Sequence, residues 1–265
     1  FSTADTKWQR VFDAAERTEK NNIVTWQGKK MLVEGGVYQG LWLETQPMGG
    51  DMYAGRCLET AYNNQNSFIE YIRADGRLPS VIRFGESAPE LMYSHFQGYC
   101  FPYHALNVWY RTGKDMGYLC RLYDALERFD GYLWRTRDTD GDGCLESFCV
   151  WDTGEDGSTR FFGGPDAWGS DEAPYGQARL PYESMDVMSY CYDGRITLAE
   201  ISAILGVEFE DVVEQVAVIH CYGDCEHTAH KMDYVGIRTC EAVKTMYGGD
   251  GKCTYGCIGL GDCVK

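Results

Sequence analysis

The 265-residue chain lacks any run of about 18 apolar residues, so no transmembrane helix of its own is expected. Its first residues, Phe1-Ser2-Thr3-Ala4-Asp5, have neither a basic start nor an apolar core, and so do not form a signal peptide. An initiator Met is missing as well, so the chain is expected to be a piece of a longer reading frame. Basic residues are scarce: 24 Lys and Arg stand against 40 Asp and Glu, a net charge of −16. Phosphate-rich partners need clustered cations, so this balance disfavours nucleic acid and anionic membrane surfaces as main partners. Nothing signals secretion, and a cytoplasmic location is expected. Repeats and low-complexity linkers are also absent.

Aromatic residues are abundant, at 14%, with 19 Tyr and 7 Trp. They can fill a helical core, or they can stack against pyranose rings in a sugar-binding cleft. The cysteines are unevenly placed. Cys57, Cys100, Cys120, Cys144, Cys149 and Cys191 are scattered without ligand-like spacing and read mostly as small buried hydrophobes. Cys221, Cys225, Cys240, Cys253, Cys257 and Cys263 crowd into the last 45 residues. Two cysteine regimes in one chain point to two unrelated parts, residues 1–206 and 207–265.

Residues 1–206 read as mainly helical. Helices are predicted at 7–19, 54–73, 102–112 and 115–135, then at 183–192 and 197–205 with Gly206 as the stop. The firmest is 115–135, where Leu119, Leu122, Tyr123, Leu126, Phe129 and Leu133 recur at steps of three and four. Long loops at 34–52, 74–96 and 138–182 carry Trp, Tyr, Gln and Asp, which favours a functional role. In residues 207–265, a strand is predicted at Val216–His220 and a short helix at 236–247. The Gly- and Cys-rich tail cannot build a large apolar core, and a segment so small needs disulfides or a metal centre to fold.

Residues 138–142 place Asp138, Asp140 and Asp142 alternately before Gly143. This is part of a calcium loop, but the twelfth position is Cys149 instead of a bidentate Glu, so calcium is not expected there. The same Arg137-Asp138-Thr139-Asp140-Gly141-Asp142-Gly143 turn is followed by Trp151-Asp152-Thr153-Gly154-Glu155-Asp156. That combination resembles the six-hairpin glycosidases, in particular the family-63-like branch of processing α-glucosidases and mannosylglycerate-type hydrolases. Gly35-Gly36-Val37-Tyr38-Gln39-Gly40-Leu41-Trp42-Leu43-Glu44, Asp75-Gly76-Arg77-Leu78-Pro79 and Phe96-Gln97-Gly98-Tyr99 extend the resemblance over residues 15–206. It implies a partial (α/α)6 toroid of helical hairpins and a small carbohydrate substrate. It also implies Asp156 as general acid, with Tyr38, Trp42, Glu44, Gln97 and Trp151 as sugar contacts. Glycoside cleavage needs a second carboxyl to activate water or attack the ring. In that family it comes from the second half of the barrel, which this chain lacks, so weak or no hydrolysis is expected. Asp152 and Glu155 compete with Asp156 for the acid role.

The tail carries a separate resemblance. Cys221-Tyr222-Gly223-Asp224-Cys225, Cys240, and Cys253-Thr254-Tyr255-Gly256-Cys257-Ile258-Gly259-Leu260-Gly261-Asp262-Cys263 look like the iron–sulfur B subunit of the Rnf-type membrane electron-transport complex. The match runs over residues 200–265 and stops short of further ferredoxin-like motifs. It implies a [4Fe–4S] cluster with an incomplete ligand set: Cys253, Cys257 and Cys263, with Cys240 as a substitute fourth thiolate. Zinc on Cys221, Cys225 and two further ligands, with His227 or His230 among the choices, is the alternative. The Rnf-type membrane complex is an expected partner if this resemblance is functional. Two unrelated resemblances in one chain imply a fusion or a mis-joined gene product, with the seam in 198–206.

Overall fold

The computed structural model describes residues 2–161, 163–177, 179–209, 229–245, 248–253, 257–260 and 262. The chain divides into two compact units, Phe1–Asp211 and Val212–Lys265. The predicted strand at Val216–His220 lies outside the described residues, as do Cys221, Cys225, His227 and Cys263.

In the first unit, helix α1 (Thr6–Asn21) starts where the Asp5 carboxylate accepts hydrogen bonds from the Lys7 and Trp8 N–H groups. It leads into a hairpin of β1 (Ile23–Trp26) and β2 (Lys29–Leu32). Strand β3 (Gly40–Trp42) pairs with β4 (Val81–Arg83), which pairs with β5 (Glu90–Met92), all antiparallel. Between β3 and β4 lie a 3₁₀ turn (Leu43–Thr45), a π-helical turn (Met48–Met52) and helix α2 (Leu58–Glu70). Asn64 of α2 closes the edge of β2: its side chain accepts from Leu32 N and donates to Leu32 O, at 3.1 and 2.9 Å. Helices α3 (Pro102–Arg111) and α4 (Met116–Arg137) follow, then a long connection holding β6 (Glu146–Ser147) and β7 (Tyr182–Glu183), and then α5 (Met185–Leu205).

The core forms where these helices meet. Leu119, Leu122, Leu126, Phe129 and Leu133 of α4 are buried against Leu106 of α3 and Val187, Leu198 and Ile201 of α5. The periodic stripe read from the sequence is the buried face of α4. Two of the sequence expectations need correction. The helices predicted at 183–192 and 197–205 are one continuous helix. Gly194 sits inside it, where a Cβ would lie 3.3 Å from the Tyr99 ring and 3.6 Å from Pro102. A small residue lets α5 approach the start of α3 closely, and packing outweighs glycine's weak helix propensity. The six early cysteines are also less buried than expected: only Cys149 and Cys191 are buried, and Cys120 is exposed. The small sheets were not anticipated, because strands of two to four residues are too short to show an alternating pattern. On α5, Tyr192, Ile196 and Ile204 are exposed on the side away from the core.

In the second unit, α6 (Cys240–Thr245) is the described helix, inside the predicted span 236–247. His230 bridges to Gly251, with Lys231 N donating to Asp250 O and Lys252 N to Ala229 O. Val243 is buried, whereas Val235 and Ile237 are largely exposed.

Candidate functional site

The first unit gathers its polar chemistry where two loops cross. One is Ser94–Phe101, entering α3; the other is Phe148–Gly157. Asp152 ties them together. Its carboxylate accepts from Phe96 N at 3.0 Å, Phe148 N at 2.6 Å and Cys149 N at 3.3 Å, and pairs with Arg137 at 2.5 Å. Both members of the pair are fully buried. Arg137, the last residue of α4, lies between the rings of Phe96 and Phe148, 4.0 and 3.9 Å from their centroids. Burial pushes the Asp152 carboxyl up, but the Arg137 charge and the N–H donors outweigh it and hold it below the ordinary value. Asp152 is therefore a fixed anion that organises the loops, which removes it from contention as a general acid.

The backbone continues the tie: Gln97 N donates to Trp151 O and Gly98 N to Asp152 O, both at 3.1 Å. Gln97 adopts a left-handed φ of 56°, uncommon for a side chain with a Cβ. Close by, Glu44 stands on the 3₁₀ turn after β3. The Glu44 carboxylate rests against two glycines. A Cβ on Gly154 would lie 2.3 Å from Glu44 Oε2, and one on Gly98 would lie 3.2 Å from Glu44 Cβ. Burial raises the Glu44 carboxyl; the Gln97 hydrogen bond opposes this, and the charges of Asp156 and Glu34 add to it. Tyr190 of α5 donates to Thr153 O at 3.3 Å, bordering the same place.

The site residues named from the sequence come together here from three separate stretches of chain. Tyr38 and Trp42 meet edge to face with ring centroids 5.3 Å apart. Trp42 precedes Glu44 through the turn, and Trp151 accepts from Gln97 N and packs edge-on against His95 at 5.3 Å. Asp156 is exposed on the turn after Gly154, and its charge reaches Glu44 and His95. Glu155, by contrast, is held by Arg160 at 2.7 Å, and the same guanidinium binds Asp186 at 2.8 Å. Sequence reasoning missed His95, Arg137 and Tyr190. A single His or Arg has no spacing signal, and their roles arise from contacts with distant stretches of chain or from a loop turn.

Asp138, Asp140 and Asp142 present carboxylate oxygens within 4.8 Å of one another. Each is engaged by its own turn: Asp138 accepts from Gly143 N, Asp140 from Asp142 N and Asp142 from Cys144 N. Cys149, at the twelfth position, is buried and can supply no bidentate ligand.

In the second unit, Cys240 and Cys257 line one depression together with Glu241, Lys244 and Ile258. Cys257 Sγ accepts from Gly259 N at 3.3 Å, and Cys240 N donates to the Asp262 carboxylate. Cys253 is exposed, and all three thiols are free. His230 is mostly exposed, with Nδ1 3.4 Å from Asp250. Among the described residues, these cysteines do not form a trio tight enough for one metal ion; the three aspartates alone do.

Comparison with known proteins adds a partial relationship. A stretch of 76 residues, 28% of the chain, is 36% identical to the B subunit of the proton-translocating ferredoxin:NAD(+) oxidoreductase complex of Clostridium ljungdahlii. A stretch of 70 residues is 34% identical to the B subunit of the Na(+)-translocating ferredoxin:NAD(+) oxidoreductase complex of Acetobacterium woodii. A stretch of 66 residues is 33% identical to the B subunit of an ion-translocating oxidoreductase complex of Methanosarcina acetivorans. These stretches cover 27%, 21% and 25% of the three proteins, so the chain spans about a quarter of the length of the curated relatives it matches. No family model and no solved structure matches the chain. The resemblance of part of this chain to the Rnf-type B protein therefore has independent support. The glycosidase resemblance has none from known proteins. Among the described residues, no helix is long and apolar enough to cross a membrane.

Proposed function

We propose that the cysteine-rich end of the chain is an electron-transfer segment of the kind carried by the B subunits of ferredoxin:NAD(+) oxidoreductase complexes. The observation that carries this is the 33–36% identity to three such proteins. We assign the matched stretch to the end that holds Cys221 through Cys263. The donor set fits an iron–sulfur cluster in part. Cys240 and Cys257 border one depression, and Cys257 sulfur takes a backbone N–H, which stabilises a thiolate and tunes a bound cluster. Cys253 and Cys263 would complete the set. The cluster would supply one-electron transfer; the chain would supply thiolates, the Gly259 N–H and a pocket floored by Ile258. Its partner would be the remainder of such a membrane complex, with this segment at the cytoplasmic face. Anaerobic reconstitution of the whole chain with iron and sulfide should give a brown protein absorbing near ~400 nm, in the thiolate-to-iron charge-transfer region. Cys257→Ser should bleach it. A colourless protein with no bound iron would refute the proposal.

A second reading concerns the first unit, and the convergence of Tyr38, Trp42, Glu44, Gln97, Trp151 and Asp156 favours it. Aromatic faces beside a half-buried carboxyl and an amide suit a neutral polyhydroxylated ligand, in keeping with a partial six-hairpin architecture. Glu44 is the carboxyl whose surroundings prepare it to carry a proton, and Asp156 is the exposed carboxylate of the facing turn. An aryl glycoside assay with Asp156→Asn and Glu44→Gln tests hydrolysis. Activity lost in both variants supports an acid–base pair; activity unchanged in both removes the reading.

A further inference from the structure

We infer that Arg73, Arg77 and Tyr132 form a binding site for the carboxylate of a small organic acid, in which Asp171 of the chain itself stands until a ligand replaces it. The residues come from three stretches. Arg73 and Arg77 belong to the segment between α2 and β4, Tyr132 to α4, and Asp171 to the long connection between β6 and β7. Gly76 lets the first segment lie tightly against α4, since a Cβ there would be 2.3 Å from Arg128 O. The Tyr132 hydroxyl accepts from Arg77 Nη1 at 3.0 Å and donates to Asp171 Oδ1. Arg77 Nη1 also lies 3.4 Å from Asp171 Oδ1, and Arg73 Nη2 lies 3.5 Å from Asp171 Oδ2.

The Arg77 side chain is 1% exposed, yet its Nε and Nη2 find no acceptor among the described residues. Those two nitrogens form the edge of a guanidinium that grips a carboxylate through two parallel bonds. The chain uses that edge elsewhere. Arg195 Nε and Nη2 each hold one oxygen of Asp130 at 2.9 Å, and Arg73 Nε and Nη2 hold the two oxygens of Asp75. On Arg77 the same edge is idle. Each buried donor left without a partner costs about 1–3 kcal/mol, more on a charged group. Asp171 does little to offset this: its contacts with the arginines exceed the roughly 2.7–2.9 Å of a charged hydrogen bond, and 47% of its side chain is exposed. Burial lowers the pKa of Arg77; Tyr132 opposes this, Arg137 adds to it, and Asp152 and Asp171 oppose it. A loosely held, half-exposed acid beside a buried cation with an idle edge is a placeholder. A carboxylate entering where Asp171 stands meets the Tyr132 hydroxyl and both guanidinium groups. Asp75 already pairs with Arg73, so withdrawing Asp171 leaves the Arg77 charge to be met, which suits a single carboxylate.

This site depends on neither the iron–sulfur nor the sugar reading, and acetate is a sufficient probe. Acetate is titrated into the full chain, with chloride at equal ionic strength as the control, and the thermal midpoint is followed. Asp171→Ala removes the placeholder. If Asp171 fills the site roughly nine-tenths of the time, the variant should bind acetate about tenfold more tightly than the wild type. Adding Arg77→Lys keeps the charge but removes the two-pronged edge, and should abolish the acetate effect. In nitrogen-15 spectra of Asp171→Ala, the Arg77 Nε–H resonance should move with acetate and not with chloride. Equal effects of acetate and chloride overturn the inference, as do equal acetate affinities in the wild type and Asp171→Ala. If Asp171→Ala does not fold, the wild-type Arg77 Nε–H resonance decides: a saturable shift with acetate supports the site, and a resonance that stays still overturns it.

Discussion

Among the described residues, residues 1–211 hold the buried cysteines, beside an exposed Cys120, whereas the cysteines of 212–265 are exposed or half-buried. In the first unit, Cys149 and Cys191 are buried inside or beside the apolar core. Burial pushes both thiols up, Cys191 to about 12, and the neighbouring Asp152 and Asp130 charges add to it. Such thiols are packing material. In the second unit, Cys253 and Cys257 are exposed, and Val243 is the buried aliphatic side chain of the one described helix. The first unit, by contrast, rests on a core of packed helices. The lesson is that a cysteine's chemistry is set by what its neighbourhood can bury.

The largest effect that would break this contrast is thiol labelling. In native, metal-free protein, iodoacetamide should modify Cys253 and Cys257 within the time course of a free thiol. Cys149 and Cys191 should react at least about a thousandfold more slowly, because they must wait for unfolding of the first unit. Mass spectrometry of peptides reads both. Equal rates would mean that the two units do not differ in this way.

Next in size is the buried ion pair. Asp152→Asn leaves the Arg137 guanidinium uncompensated and loosens both site loops, so it should destabilise the first unit by about 3–5 kcal/mol in urea unfolding. The sign with pH follows from the lowered Asp152 carboxyl. Its contribution is present above the unfolded value of about 3.9 and is lost as pH falls through the lower folded value. The wild type and the variant should therefore converge in strong acid.

Much of the first unit was legible in the sequence, and the reasons are specific. Helix α4 was visible because Leu119, Leu122, Leu126, Phe129 and Leu133 must all face one core. Helix α5 reads along the chain as two segments but is continuous, and the close approach of its Gly194 to Tyr99 is a relation invisible along the chain. The candidate residues Tyr38, Trp42, Glu44, Gln97, Trp151 and Asp156 were singled out through motifs. The Arg137–Asp152 tie was not, because it exists only after the loops cross. In the tail the cysteine spacing was legible, but Cys221, Cys225 and Cys263 fall outside the described residues.

A smaller effect separates shape from charge at the site. Gly154→Ala places a methyl group into Glu44 Oε2 and also sits at a φ of 77°. It should cost about 1–2 kcal/mol of stability and displace the Glu44 carboxylate. Gly157→Ala shares the left-handed strain but meets open space, so it should cost less and leave Glu44 in place. Equal losses would assign the effect to backbone strain alone.

The smallest expected effect runs against the usual direction. The Glu44 carboxyl is raised chiefly by burial, so the folded state binds its proton more tightly than the unfolded chain does. Folding stability therefore declines as pH climbs from the unfolded value near ~4.3 through the higher folded value, and the penalty stays in force at neutral pH. Glu44→Gln keeps the shape while removing the charge. It should raise stability by about 0.5–1 kcal/mol at pH 7 and make no difference near pH 4. A carboxyl that weakens the fold at working pH is one whose presence must be explained by what it does, since packing would be better served by the amide. A Glu44→Gln protein less stable than wild type at pH 7 would show that the carboxylate is a structural anchor like Asp152, and the two carboxyls of the first unit would then have the same role instead of opposite ones.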